Sequence, residues 1–251
     1  TLFGRYYADS AGDPIPFASY HDDYWTWLWS IRYGVRPPPF VAIWPRGAGK
    51  STNAEIWVIA LGARARRRYA LYVCATQDQA DDHVQNIGTL LESVTISEAY
   101  PDMAERLVGK YGSSKGWRRN RLRTRSGFTV DAIGLDSAAR GAKLEEQRPD
   151  LMIFDDLDNE KDSDVIVKRK IATLTTALLP AGTASLAVLA IQNLVHIHSI
   201  FAKLATEDQE ERANWLNDRI VSGPYPALEG FAYEQQGGRF VITAGTPTWA
   251  G

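Results

Sequence analysis

The sequence predicts an α/β domain built on a mostly parallel central sheet with helices on both faces. Three observations lead there. Short, largely apolar runs at residues 40–44, 69–75, 151–154 and 184–191 read as strands buried on both sides. Stretches with apolar residues at helical spacing lie between them, so strands and helices alternate and successive strands are joined by crossovers. The chain of 251 residues is 45% hydrophobic and 23% charged, without repeats or a linker-like tract, which suffices for one sizeable core.

Residues 1–36 are rich in aromatic side chains, and Tyr20–Tyr33 has the spacing of a helix lying on the sheet. Pro37-Pro38-Pro39 stops that helix, and Phe40–Trp44 is the first strand. A glycine-containing turn, Pro45–Gly49, leads into a helix from Lys50 to about Gly62. The basic turn with Arg64, Arg66, Arg67 and Arg68 precedes a second buried strand, Tyr69–Ala75. A helix over about Gln77–Val94 follows, with Ala80, Val84, Ile87, Leu90 and Leu91 on one face. Lys110, Lys115, Arg118, Arg119, Arg121, Arg123 and Arg125 then come with no acid among them; Ser126-Gly127 turns the chain and Phe128–Leu135 returns as a strand, a basic β-hairpin insertion. Leu151–Phe154 is a short apolar strand ending in Asp155-Asp156. A helix over Asp164–Leu179 and a buried strand Ala184–Ile191 complete the alternation, and a strand-like run closes the sequence.

The formal net charge of −2 excludes a uniformly basic nucleic-acid coat, so any DNA contact must come from a local patch. Lys110–Arg125, with Trp117 inside it, is the candidate for DNA or a neighbouring subunit; a solvated hairpin is the alternative. The single cysteine, Cys74, excludes an internal disulfide and a cysteine-built zinc site. His196 and His198 lack a third ligand nearby and are assigned nothing. No apolar stretch reaches the roughly 18 residues of a membrane span and no signal peptide is evident, so no membrane partner and a cytosolic place of work are expected.

The strongest chemical signal is Arg46-Gly47-Ala48-Gly49-Lys50-Ser51-Thr52 at a strand–loop–helix junction. Glycines let successive backbone N–H groups close around an anion, and the helix that follows adds its positive dipole end. In this phosphate loop Lys50 reaches the terminal phosphates of ATP, and the Ser51 hydroxyl binds Mg²⁺. The pattern G-x-x-x-x-G-K-[ST] puts a glycine where this chain has Trp44. The second signal is the carboxylate pair: a strand ending in Asp155-Asp156 delivers acids to the end of a parallel sheet where ligands bind. Asp155 is expected to hold Mg²⁺ and Asp156 to polarise the attacking water, with Asp158 and Glu160 as neighbouring candidates for the base. The third is Ala139-Arg140-Gly141, whose guanidinium suits the charge growing on a transferred phosphoryl group.

Together these blocks, with Gly-Leu-Asp-x-Ala-Ala-Arg-Gly ending at Gly141 and Arg148-Pro149-Asp150, resemble the ATPase half of phage terminase large subunits over most of residues 17–195. The resemblance implies a P-loop nucleotide hydrolase of the additional-strand class, an ATP- and Mg²⁺-dependent motor moving double-stranded viral DNA into a procapsid in the host cytoplasm. It implies that Arg46 is a sensor in the phosphate loop and that Arg140 is an arginine finger acting on the neighbouring copy in a ring. It further implies that Ile191-Gln192-Asn193 senses the γ-phosphate through Gln192, and that Phe17–His21 lies on the adenine side, where Phe17 or His21 either stacks on the base or packs in the core. Portal protein and the small terminase subunit are the further partners implied. The domain reading that follows is a single ATPase unit, with 1–36 as its aromatic adenine-side segment, 37–240 as the core and 241–251 as the start of a linker to an absent nuclease half. The non-Met start at Thr1 fits the same expectation of a dissected piece. A helicase-like translocase, and a nucleotide-gated ring-assembly module with little turnover, are the alternatives.

Overall fold

The computed structural model describes residues 13, 15–138, 147–208, 210 and 212–249. Its centre is a seven-stranded sheet made of β1 (Phe40–Ile43), β2 (Tyr69–Cys74), β3 (Arg121–Arg123), β4 (Thr129–Gly134), β5 (Leu151–Asp155), β6 (Ala187–Gln192) and β7 (Ile220–Ser222). The order across the sheet is β3-β4-β2-β5-β6-β1-β7. Every pairing is parallel except β3 with β4. One strand, β6, therefore separates the strand that precedes the glycine loop from the strand that carries the acids, which is the additional-strand arrangement. Strand spacing sets that separation at about 10 Å.

Alternation along each strand divides the core in two. Phe40, Ala42, Tyr72, Leu151, Ile153 and Leu189 face one apolar cluster with α1 (Ser19–Ser30), α2 (Lys50–Ala63) and α3 (Gln77–Leu91). Val41, Ile43, Val73, Met152, Phe154 and Val188 face the other. There they meet α7 (Asp164–Thr173) and the short α8 (Ile200–Ala205), the latter through Ile200, Phe201 and Leu204. Both faces are thus covered, as continuous apolar strands require.

Several boundaries differ from expectation for local reasons. The helix expected to run to Val94 ends at Leu91, and Ser93, in extended backbone, begins a separate short α4 (Val94–Ala99), followed by α5 (Pro101–Ala104). The four-residue α6 (Leu135–Ala138) follows β4. The helix expected over Asp164–Leu179 passes into a π turn, Leu174–Leu178, and a last turn Leu179–Ala181. Pro180 has no N–H for the carbonyl four residues back and its ring crowds that carbonyl, so the ladder widens there. The basic hairpin is present, but its returning strand β4 is an inner strand of the main sheet, paired with β2 over Tyr69–Cys74. Beyond β7, β8 (Leu228–Gln236) and β9 (Arg239–Pro247) form a separate two-stranded sheet that straddles residue 240. No helix among the described residues is long and apolar enough to cross a membrane.

Candidate functional site: a phosphate loop facing a carboxylate strand

The loop leaving β1 reaches α2 through two left-handed glycines, Gly47 (φ 85°) and Gly49 (φ 68°). A side chain at either would strain the backbone, which is why this turn is written with glycine. Gly49 is the N-cap of α2, so Lys50, Ser51 and Thr52 occupy its first turn with their backbone N–H groups directed out of the helix end. Arg46 lies exposed on the loop. Lys50 Nζ donates to the carbonyls of Trp44 (3.2 Å) and Pro45 (2.8 Å). Burial lowers its pKa, opposed by the charges of Asp156 and Asp155 and reinforced by Arg46, so these four ionic groups share one field.

Helix α1 braces this loop from behind. His21 is fully buried; its Nδ1 accepts from the Ala18 N–H (3.1 Å) and its Nε2 bonds the Ala48 carbonyl (3.0 Å). Desolvation depresses its pKa against the Ala48 bond and the charge of Asp22, so the ring is neutral with its proton on Nε2. Tyr24 Oη donates to the carbonyl of Asn53 on α2 (3.1 Å). Trp44 is 1% exposed, packed against Tyr20, His21 and Tyr24, with Nε1 donating to Ser222 Oγ at 3.1 Å. The departure from the loop pattern therefore sits in the core at the end of β1, and the turn itself keeps the glycines it needs. Phe17 is 40% exposed, its ring 5.6 Å from His21, and Trp249 meets His21 from the other end of the chain at 5.0 Å. Of the two residues expected on the adenine side, only Phe17 has an exposed ring; His21 is engaged in holding the loop.

Facing the loop across β6, Asp155 ends β5 with its side chain fully buried. Burial, together with the Asp156 charge, lifts its carboxyl from the usual range to about 6, while His83, Tyr72 and the Ser51 hydroxyl draw it back down. Oδ2 accepts from Tyr72 Oη (2.7 Å) and lies 3.5 Å from His83 Nε2. Oδ1 is buried with no hydrogen-bond partner among the described residues. A buried, unpartnered carboxylate oxygen beside a serine hydroxyl at a helix N-terminus fits Mg²⁺, a hard cation that takes one or two protein oxygens and keeps the rest for phosphate and water.

Asp156 is exposed and left-handed (φ 47°), a conformation aspartate tolerates better than most residues. The turn it makes carries its carboxylate out of the strand toward solvent and the field of Lys50. The other two acids are placed differently. Asp158 is buried and accepts from the N–H groups of Ile200 (2.9 Å) and Phe201 (3.0 Å), capping α8, whereas Glu160 is exposed on the turn beyond. Gln192 is buried too; its Oε1 accepts from Asp158 N–H (3.0 Å) and its Nε2 donates to the Asp158 carbonyl (2.9 Å). Its amide ties the end of β6 to the loop after β5. Arg140 falls in residues 139–146, outside the described residues.

A network that the sequence reading missed backs the carboxylate. His83 on α3 places Nδ1 2.8 Å from Glu55 Oε1, and Asn86 Nδ2 donates to the same oxygen (3.0 Å). Burial opposes the charged form of His83, but the Glu55 bond and the Asp155 charge outweigh it and hold its pKa above the ordinary value. The available signal was Glu55 itself, an acid inside an otherwise apolar helix one turn beyond Ser51.

The basic segment is more neutralised than its composition suggests. Arg121 pairs with the buried Asp131 (2.6 Å), Arg119 with Asp82 (2.9 Å) and Asp78 (3.4 Å), and Arg125 with Asp102 and Glu105. Lys110, Lys115 and Arg118 make no ion pair among the described residues.

No protein-family model and no curated protein matches the chain. Solved structures do match in fold. The N-terminal domain of the DNA packaging ATPase from bacteriophage phi29 is 17% identical, with 74% of this chain and 90% of that one covered, at a TM-score of 0.45. The large terminase ATPase domain of a Thermus phage is 19% identical, with 66% and 64% covered, at 0.41. The Phi-28 DNA packaging motor is 13% identical, with 76% and 58% covered, at 0.47. These identities and scores are too low to transfer a residue's role, so the roles rest on this chain's own geometry. The fold is thus similar to that of a DNA packaging ATPase domain, a large terminase ATPase domain and a DNA packaging motor.

Proposed function

We propose that this chain is an ATP-hydrolysing motor domain that drives double-stranded viral DNA into a procapsid, working in the host cytoplasm as one copy in a ring. The observation that carries the reading is the convergence of the glycine loop, Lys50, Ser51 and the Asp155-Asp156 pair at one end of a parallel sheet. The N–H groups of residues 47–51 and the Lys50 ammonium bind and orient a triphosphate. Ser51 and Asp155 would hold Mg²⁺, which would neutralise charge that develops on the phosphates. Asp156 takes the proton of the attacking water; with Asp158 occupied as a helix cap, Asp156 is the acid left near Lys50 for that task. Arg46 senses the nucleotide from the loop, and Phe17 borders its base. Gln192 links the strand next to the carboxylates with the loop after them, so movement at β5 is passed to α8 through Asp158.

Arg140 serves the nucleotide of the neighbouring copy, and a finger of this kind contributes about 10³–10⁵ in rate. DNA, portal protein and small terminase subunit are the partners this role requires. Phosphate release by the wild-type chain and by Asp156→Asn, each with and without duplex DNA, tests the proposal. The wild type is expected to turn over, and the variant to lose about a hundredfold or more while still binding Mg·ATP. Equal rates in the two, or no turnover in either, would reject it.

A further inference from the structure

We propose that His83, anchored by Glu55, is a positioning residue for Asp155, turning the carboxylate so that Oδ1 is presented to the cation that accompanies the nucleotide. The inference rests on the nucleotide-hydrolysing reading above and goes beyond it by assigning a task to residues on α2 and α3 that this reading leaves without one.

A carboxylate at a strand end can rotate, and only one of its two oxygens faces the loop usefully. Here Oδ2 is taken: Tyr72 Oη donates to it at 2.7 Å and His83 Nε2 stands 3.5 Å away. The Tyr72 and His83 rings stack with centroids 4.7 Å apart and 22° between planes, so the hydroxyl and the imidazole approach the carboxylate as one unit. Oδ1 is left buried beside the Ser51 hydroxyl, with no hydrogen-bond partner among the described residues. What keeps His83 in place lies on the phosphate-loop helix. Glu55 is four residues after Ser51, one helical turn along the same face. It accepts from His83 Nδ1 at 2.8 Å and from Asn86 Nδ2 at 3.0 Å, residues three apart on one face of α3. A continuous chain of contacts therefore runs from the helix that binds phosphate, through α3, to the acid on β5. Plain packing does not account for it. Glu55 is 7% exposed, and a buried carboxylate is costly unless it is paired, so an apolar side chain would fill the space at less cost.

The test measures binding of a non-hydrolysable ATP analogue to the full chain, with Mg²⁺ and with EDTA, for wild type, His83→Ala, His83→Gln, Glu55→Gln and the Ala/Gln double variant. Partners behind a metal ligand change metal affinity by about 10–100-fold. His83→Ala is expected to lose about tenfold or more of the Mg²⁺-dependent gain while keeping its metal-free affinity, and His83→Gln to restore part of the gain. The double variant is expected to be no worse than His83→Ala, because both changes break one chain of contacts. Retention of the full gain by His83→Ala overturns the proposal, and so does an equal loss with and without Mg²⁺, which marks a merely structural residue. Should His83→Ala fail to fold, the shape-conserving His83→Gln decides alone: an undiminished gain overturns the proposal. A wild-type chain that shows no Mg²⁺-dependent gain overturns the nucleotide reading together with this one, which separates the two failures.

Discussion

Replacing Trp44 by glycine would restore the usual phosphate-loop pattern, and the structure says that the protein would be badly damaged by it. The indole is 1% exposed and lies among Tyr20 (4.8 Å), His21 (5.2 Å) and Tyr24 (5.7 Å). Emptying such a site costs about 3–5 kcal/mol. Ser222, itself buried, loses the Nε1 donor at 3.1 Å, worth about 1 kcal/mol more. Glycine at a strand end adds about 0.5–1 kcal/mol of unfolded-state entropy. The sum, about 4.5–7 kcal/mol, matches or exceeds the whole stability of a marginal domain. Trp44→Phe keeps most of the ring and loses the hydrogen bond, so about 1–2 kcal/mol is expected. Urea unfolding of both variants, followed by far-ultraviolet circular dichroism without nucleotide, reads these losses directly. A Trp44→Gly chain within about 1 kcal/mol of wild type would refute the reasoning, since position 44 would then belong to the loop and not to the core.

Four further outcomes follow from the same geometry. Burial lifts the Asp155 carboxyl to about 6 in the folded chain, above the ordinary 3.8 of an aspartate, so the folded state binds its proton more tightly. Its contribution to stability is complete below the unfolded pKa and is lost as pH rises through about 6, roughly 3 kcal/mol for two units. In metal-free buffer Asp155→Asn should therefore flatten the stability profile between pH 4 and 6 and exceed wild type at pH 8; parallel profiles would contradict this. Asp158→Ala leaves the first two N–H groups of α8 without their carboxylate and should cost about 1–3 kcal/mol, whereas Asp156→Asn, exposed and unburdened by packing, should leave the urea midpoint nearly unchanged; reversed effects would exchange their roles. Arg121→Ala breaks a part-buried pair with Asp131 and should lower stability without changing DNA affinity. Neutralising Lys110, Lys115 and Arg118 together should lower the slope of log affinity against log salt by about three, and an unchanged slope would place DNA elsewhere.

Much of this architecture was legible because buried parallel strands are written as apolar runs. β1, β2, β5 and β6 all announce themselves that way, and the acids at 155–156 follow directly from where such a run stops. β7 does not: it is three residues long, with Ile220 and Val221 exposed, and it becomes a strand only by pairing with β1 about 180 residues away in sequence. The six-residue α8 is quieter: Ser199 caps it locally, but so short a run is a weak signal, and its first two N–H groups are met by Asp158 from another loop. The same holds within the site. Gly47, Gly49, Lys50 and Ser51 are contiguous and can be read as a motif, whereas the Glu55–His83–Tyr72–Asp155 network draws one side chain from each of four elements. His21 illustrates the limit most clearly. Its position next to Phe17 suggests a base-stacking ring, and only the three-dimensional contact with Ala48 shows that its ring is spent on holding the loop.

The central claim is that the loop of residues 45–51 and the carboxylate of Asp155 embrace a metal-bound triphosphate between them. A structure of the full chain with a non-hydrolysable ATP analogue and Mg²⁺ tests it most directly. The account predicts phosphate oxygens on the N–H groups of residues 47–51, Lys50 Nζ moved from the Trp44 and Pro45 carbonyls onto the terminal phosphates, and the metal shared by Ser51 Oγ and Asp155 Oδ1. A triphosphate bound away from that turn, or a metal held without Asp155, would contradict it.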